Sequence, residues 1–341
     1  MQILQNLVEM TGHRDHVRLE VSVLSTMQRL PYVTSVRALE LIEQTEGTMV
    51  RPRSWQQNGK ICSTDAEEEA SVISQPLSTY PALEECIQNN RNCAMQTLGP
   101  ARHAIWLPIW MHNKVRTCIE ISQSRPFTTQ RLEVLQGIFH VYQNYQSLLD
   151  YSERDALTGL LNRKTFDEQI SRFASLPSAP SMHPQELPEE DRPDQWIAVI
   201  DIDHFKQVND RFGHLFGDEV LILVANLLRS SFRAQDRIFR FGGEEFVVLL
   251  RNVSLRDAKQ IFERLRTTVQ AHQFPQLGQV TISLGFACTR MRSPVEILGQ
   301  ADQALYYAKQ NGRNRVCHYE SLLAEGAFGE KVTNHEDMEL F

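Results

Sequence analysis

The heptapeptide Arg240-Phe241-Gly242-Gly243-Glu244-Glu245-Phe246 constrains this chain more than any other stretch. Ile238 and Phe239 lead into it, and Val247, Val248, Leu249 and Leu250 follow. Two apolar, strand-forming runs joined by Gly-Gly predict a β-hairpin, because glycine reaches the positive φ that a tight turn needs. Two adjacent carboxylates, Glu244 and Glu245, then stand at the tip of a buried hairpin. Carboxylates beside a hydrophobic run are costly to desolvate, so the pair points to a bound cation or a shared proton. An ordinary hairpin with a solvated acidic turn is the competing reading.

A chain of 341 residues predicts two domains. Its 42% hydrophobic and 23% charged content is that of a soluble globular protein. No apolar run approaches the ~20 residues of a membrane-spanning helix, and Met1 to Gly12 lacks the Lys or Arg of a secretory signal. The six cysteines are scattered with no CxxC pair, which suggests neither a zinc site nor a disulfide framework. A reduced, cytoplasmic setting with no membrane insertion is expected. The net charge of −7 argues against DNA as the main partner, but a nucleotide remains compatible when a metal ion supplies positive charge.

The first 125 or so residues read as a mixed α/β domain. Leu19, Val23, Leu24 and Met27 fall on one side of a helix over 17–28, which Pro31 ends. A second apolar run is Ala38 to Ile42. Asn58-Gly59 is a turn signal, and Asp65 to Glu69 an acidic run with the look of a solvated loop. His103 to Ile121 predicts a hairpin: Ile105, Leu107 and Ile109 alternate on one strand, His112-Asn113 turns, and Val115, Thr117, Ile119 and Ile121 alternate on the return. His13, His16, Cys62, Cys86, Cys93 and Cys118 have no spacing typical of a metal or haem site.

From Thr128 a helix runs to about Glu153, with Leu132, Leu135, Phe139, Tyr142 and Leu149 at alternating three- and four-residue steps once Gln146, the polar exception, is counted. That is the seam of a short coiled coil, and packing on the helix's own sheet explains its first half equally well. The second half is expected to meet a partner helix. In the run Asp155-Ala156-Leu157-Thr158-Gly159-Leu160-Leu161-Asn162-Arg163, Asp155 or Thr158 can cap a helix that continues through Phe173. Residues 174–195, rich in Pro, Ser and Glu, read as a flexible insertion.

Trp196 to Asp201 is almost wholly apolar and so predicts a central strand buried on both faces. It ends in Asp201-Ile202-Asp203-His204-Phe205-Lys206-Gln207-Val208-Asn209-Asp210, at the end of a sheet strand where ligands commonly bind. Gly213 to Asp218 is expected to be a loop, and 219–232, 256–272 and 294–310 are expected to be helices, the last capped by Ser293 and stopped by Gly312. Residues 279–287 read as a strand and 321–341 as a weakly ordered acidic tail. Asp201 and the Glu244/Glu245 pair, on adjacent strands, suit Mg²⁺, a hard ion that takes oxygen ligands and keeps waters for phosphate oxygens. Two such ions can activate a hydroxyl and neutralise a triphosphate.

Residues 155 to about 318 resemble the GGDEF domain of diguanylate cyclases. The runs 155–163, 201–210, 213–218, 240–246 and Ala301-Asp302-Gln303-Ala304-Leu305-Tyr306-Tyr307-Ala308-Lys309 agree with that family in order and spacing. The resemblance implies a palm-like α/β fold, an antiparallel-rich sheet flanked by helices. It implies Mg²⁺ (Mn²⁺ as substitute) held by Asp201, Glu245 and the Ile202 carbonyl. Glu244 is implied as a metal ligand or as the base for a 3′-hydroxyl, the division between Glu244 and Glu245 staying open. Asn209 and Asp218 are implied as guanine readers with Asp210 and His214 beside them, and Phe205, Lys206, Lys309 and Arg313 as phosphate contacts. Lys309 and Arg313, four apart, are expected to share a helix face. Arg233 and Asp236 match the family's Arg-x-x-Asp inhibitory site for cyclic di-GMP, with Arg264 as its second arginine.

The implied reaction is 2 GTP → cyclic di-GMP + 2 pyrophosphate between two facing domains, hence a homodimer. Residues 1–127 resemble a GAF sensory domain through the Leu107-Pro108-Ile109 strand, its hairpin and the helix after Phe127, with PAS as the competing fold and an unknown small molecule or protein as its signal. The organisation is then 1–127 sensory, 128–153 linker helix, 154–320 cyclase and 321–341 tail. An idle receptor for cyclic di-GMP and a cyclase for an adenine-containing dinucleotide are the rival readings.

Overall fold

The computed structural model describes residues 2–328 except 14, 45–46, 58–59, 64–73, 112–113, 176–190, 234 and 291. The expected turns at Asn58-Gly59 and His112-Asn113, the acidic run Asp65 to Glu69, most of the 174–195 insertion and residues 329–341 of the tail lie outside the described residues. The chain forms two compact units, 1–152 and 153–341.

The first unit contains α1 (Gln2–Thr11), α2 (His16–Gln28), β1 (Val33–Gln44), β2 (Gly47–Gln57), β3 (Lys60–Ser63), β4 (Gln75–Pro76), α3 (Pro81–Gln88), β5 (Ala94–Gly99), β6 (Arg102–Met111), β7 (Lys114–Gln123) and α4 (Thr129–Glu153). Its antiparallel sheet runs β3-β2-β1-β7-β6-β5, with β4 beside β2. The expected hairpin is β6–β7, with Leu107 opposite Ile119. Strand alternation sorts the apolar residues between two faces. Ile105, Leu107, Ile109, Ile119 and Ile121 join the inner stripe of α2, which Asp15 caps by accepting from Val17 N and Arg18 N. Leu39, Leu41, Trp106 and Cys118 join Leu83 and Cys86 of α3 on the other face.

The helix α4 corrects one expectation. Leu135, Phe139, Tyr142 and Leu149 of the predicted seam are buried in the same cluster as α2 and the sheet, and Leu132 packs against it. The second half is therefore covered by its own unit, and no partner helix is needed for that stripe. What α4 leaves open is a different stripe. Leu148 and Tyr151 are 62% and 76% exposed, and Val134 is exposed too.

The second unit contains β8 (Leu161–Asn162), α5 (Arg163–Ser175), β9 (Asp194–Ile202), α6 (Phe205–Phe212), α7 (His214–Ser231), β10 (Arg237–Arg240), β11 (Glu245–Val253), α8 (Leu255–Ala271), β12 (Gln273–Phe274), β13 (Gly278–Gln279), β14 (Ile282–Cys288), α9 (Pro294–Gln310), β15 (Val316–His318) and α10 (Tyr319–Ala324). Its main sheet runs β15-β14-β9-β11-β10-β8. The inner pairs are antiparallel and the two outermost are parallel. β9 is central and buried throughout, as its unbroken apolar run requires. Trp196, Ala198, Ile200 and Ile202 join the core with α7 and α8, and Ile197 and Val199 the core with α5 and α9.

Three local expectations change. Residues 214–218 are the first turn of α7, not a loop, because Gly213 at φ 89 reverses the chain sharply enough to start a helix at once. The cap of α5 is Asn162, whose side chain accepts from Thr165 N at 2.9 Å; Asp155 instead closes a turn by accepting from Thr158 N at 2.8 Å. The tail is packed where it begins, since Leu322 of α10 is buried against Ala304 and Ala308.

One glycine positions α9. A Cβ on Gly285 of β14 would lie 2.1 Å from Leu305 N and 2.2 Å from Ala301 O, so the helix backbone rests directly on the strand. Gly285→Ala is expected to destabilise the second unit by about 1–3 kcal/mol, because a helix backbone cannot yield as a side chain can; urea denaturation of the full chain measures it.

Candidate functional site

The site forms where β9, β11 and α9 meet. Cross-strand register sets Asp201 of β9 directly opposite Glu245 of β11, so the expected pair of facing carboxylates is present. Glu244 precedes Glu245 in the turn that joins β10 to β11. Lys309, in the last turn of α9, reaches across to place Nζ 2.8 Å from Asp201 Oδ2.

The turn itself is built differently from expectation. Neither Gly242 nor Gly243 has positive φ. Phe241 N and Gly242 N both donate to the Glu245 carbonyl, at 2.8 and 3.3 Å. The bare Gly242 makes room instead: a Cβ there would lie 2.9 Å from Glu245 Oε2. Arg240 holds the turn from outside. Its Nε and NH2 donate to the Gly243 carbonyl at 3.2 and 2.8 Å, and NH1 donates to both Asp155 oxygens at 3.0 and 3.1 Å.

Burial and mutual repulsion make the acidic cluster reluctant to ionise. Burial pushes the Asp201 carboxyl above its ordinary range, outweighing the opposing pull of Lys309. Burial, and next the charge of Asp201, push Glu244 and Glu245 upward as well. A divalent cation would relieve this repulsion, so the donor set fits one. Among the described residues no three acidic, His or Cys side chains already converge as a cage, and Mg²⁺ does not need one, since it keeps several waters and takes one or two carboxylates.

The α6–α7 corner lies beyond the end of β9. His204, at φ 60, starts α6 without a side-chain cap. The first amides of α6, those of Phe205 and Lys206, are therefore the orphan donors that make a helix N-terminus an anion seat. The Phe205 ring is buried in the core, so this residue can offer an anion only its backbone. Asn209 and Asp218 are half-buried on α6 and α7, while Lys206, Asp210 and His214 are exposed. Gly217 seats Asn209: a Cβ on Gly217 would fall 2.0 Å from Asn209 Oδ1 and 3.2 Å from the Phe205 ring.

Arg313 does not share a helix face with Lys309, because α9 ends at Gln310. Gly312 at φ 108 and Arg313 at φ 59 reverse the chain, and Arg313 N donates back to the Ala308 carbonyl at 3.0 Å, which closes a Schellman-type stop. The guanidinium nonetheless acts on Asp201, lowering the proton affinity that burial raises.

Away from this site, Arg233 and Arg264 line one cavity of about 260 Å³, with Asn252, Asp257 and Gln260. Asp236 Oδ2 accepts from Arg233 N at 2.9 Å, and its other oxygen is buried without a partner among the described residues. Residue patterns missed the roles of Gly217, Arg240 and Asp155. The first and second are legible only as close approaches in space; the third looks in sequence like one of two helix-cap candidates, with Thr158 the other.

The family described as "Diguanylate cyclase, GGDEF domain" matches residues 152–315. The chain is 43% identical over 166 residues to diguanylate cyclase DgcP of Pseudomonas aeruginosa, covering 48% of this chain and 23% of that protein. It is 37% identical over 187 residues to the response regulator PleD of Caulobacter vibrioides, covering 52% of this chain and 38% of that one. It is also similar to a solved structure of the coiled coil and GGDEF domain of DgcB from Caulobacter crescentus in complex with c-di-GMP, with 26% identity, a TM-score of 0.47 and coverage of 55% and 97%. The chain spans well under half the length of these curated relatives. Among the described residues, no helix is long and apolar enough to cross a membrane.

The Asp155–Arg240 clamp has a pH signature. Burial raises the Asp155 carboxyl, but hydrogen bonds from Thr158 and the Arg240 guanidinium outweigh it and hold the group below its ordinary 3.8. A depressed carboxyl stabilises the fold above its unfolded value and ceases to do so as pH falls through the folded one. Asp155→Asn is expected to cost about 1–2 kcal/mol at neutral pH. The difference should close as pH drops below 3.8, as followed by urea denaturation across pH.

Proposed function

Residues 152–315 form a GGDEF domain, and from that premise we propose that the chain is a diguanylate cyclase, converting two GTP into cyclic di-GMP and two pyrophosphates. The observation that carries this reading is the Asp201–Glu245 register pair with Lys309 seated on Asp201. An idle receptor would not need this cluster, whose charges disfavour one another and whose members oppose one another's ionisation.

Asp201, Glu245 and the Ile202 carbonyl would hold Mg²⁺, or Mn²⁺ in its place, with Glu244 close enough in sequence to share it. When bound, the ion neutralises triphosphate charge and activates the attacking 3′-hydroxyl. Glu244, with raised proton affinity, is suited to take the 3′-hydroxyl proton. The free amides at the start of α6, together with Lys206, Lys309 and Arg313, bind phosphate oxygens. Asn209 and Asp218 read guanine: a carboxylate accepts from N1–H and the 2-amino group together, and adenine lacks that donor pair. Asp210 and His214 flank this pocket.

Each domain holds one GTP, so two must face each other. The open stripe of α4 supports a second copy as the partner. Val134, Gly137, Asn144, Leu148 and Tyr151 are exposed, and with half-buried Val141 between them they follow one another at steps of three and four, the spacing of a coiled-coil seam. A Cβ on Gly137 would meet nothing within 4 Å. The cavity between Arg233 and Arg264 suits cyclic di-GMP as an inhibitor, since each guanidinium fork can take a phosphate or a guanine edge. The first unit is a sensory domain of GAF-like kind, its sheet and two flanking helical layers agreeing with that reading, and α4 carries its signal onward.

A single turnover assay tests the catalytic reading. Purified protein with GTP and Mg²⁺ should form cyclic di-GMP, with ATP a poor substitute and added product inhibitory. Asp201→Ala should abolish turnover without unfolding, and Arg233→Ala should relieve the inhibition while GTP turnover persists. Wild-type rates in Asp201→Ala would remove the basis of the site assignment.

Leu148→Glu with Tyr151→Glu tests the dimer face. Association should weaken in sedimentation, and specific activity should fall at low protein concentration and recover at high. Concentration-independent activity in that variant would show that copies meet elsewhere.

A further inference from the structure

We infer that Asp203 is the positioning residue that holds Arg313 toward the phosphates of the substrate, an inference that rests on the cyclase reading above. Asp203 follows the end of β9 and is 5% exposed. Its own N–H donates to the Thr281 carbonyl at 2.9 Å. Oδ1 accepts from Ser283 Oγ at 2.7 Å, and Oδ2 accepts from Thr281 Oγ1 at 2.7 Å and from Asn314 N at 3.0 Å.

Both oxygens are thus committed to neutral donors. A carboxylate so buried would be unfavourable without them. With them, it is a bracket whose two oxygens already serve three neutral donors. What it brackets is the turn after α9. Gly312, Arg313 and Asn314 have φ of 108, 59 and 45, three successive residues in the left-handed region, which residues with side chains seldom adopt. Such a turn persists only when its surroundings over-determine it.

Its ties to neighbouring helices include Arg313 N to the Ala308 carbonyl and Arg266 NH1 to Asn314 Oδ1 at 2.8 Å. These fasten the turn to α9 and α8. The bond to Asp203 fastens it to the chain segment that carries Asp201. Arg313 lies one residue before the bracketed amide, with its side chain exposed. Without the bracket, its guanidinium would lose its bearing on the site rather than its charge.

The test is a double-mutant cycle on the full chain, read by titration of 3′-deoxy-GTP, which cannot cyclise, with KM and kcat for GTP measured alongside. Arg313→Ala should weaken binding about tenfold, the size of one charge-assisted hydrogen bond. Asp203→Ala should weaken it by a similar factor, raising KM more than it lowers kcat. The double variant should be no weaker than Arg313→Ala alone, because the two residues act through one contact. Asp203→Asn keeps an acceptor for Asn314 N–H and offers its amino group to a hydroxyl that can turn to accept it. It should recover most of the affinity, and it decides the matter if the alanine variant does not fold. Losses that multiply in the double variant, or full affinity in both Asp203 variants, would overturn the inference. If the unmutated protein binds the analogue but forms no cyclic di-GMP from GTP, the cyclase reading fails while the binding cycle still judges Asp203.

Discussion

Three carboxylates gathered at the joined ends of two buried strands are the constraint on which the second unit depends. Asp201 faces Glu245 by register, Glu244 adjoins them, and burial makes each harder to ionise. Left alone, such a cluster would push the strand ends apart. Lys309 supplies a cation from α9 at 2.8 Å from Asp201, and it can do so because Gly285 lets the helix lie against the sheet with backbone on strand. The absence of one side chain on β14 thus sets how close the balancing charge can come.

The same economy of space recurs around the cluster. Gly242 leaves room for the Glu245 carboxylate and Gly217 for the Asn209 amide. Both glycines work by close approach, not by unusual backbone angles. Arg240 then fixes the acidic turn to Asp155, and Asp203 fixes the turn after α9 to the strand that carries Asp201. Groups from distant parts of the chain are held rigid before any ligand arrives, and in electrostatic stabilisation that preorganisation is what counts.

In the first unit, the sheet buries apolar residues on both of its faces. The inner stripe of α4 belongs to that core, and Val134, Leu148 and Tyr151 remain exposed on its outer face. A helix with a buried stripe and an exposed one can serve its own fold and still present a face to solvent.

The sequence alone determined in what kind of element most of the candidate site residues stand. The central strand, the hairpin with its acidic tip, the Ser293 cap and the Gly312 stop are local patterns, and propensity and periodicity report them without reference to the rest of the chain. Only the tertiary structure decided what depends on distance between remote residues. The stripe of α4 that is buried could not be told from the one left open, because both have coiled-coil spacing and burial is set by neighbouring helices and strands. Arg313 read as a helix-face partner of Lys309, since a four-residue step looks helical until a chain reversal intervenes. The roles of Gly217, Gly242 and Gly285 were invisible because a missing side chain has meaning only beside the atom that fills its place.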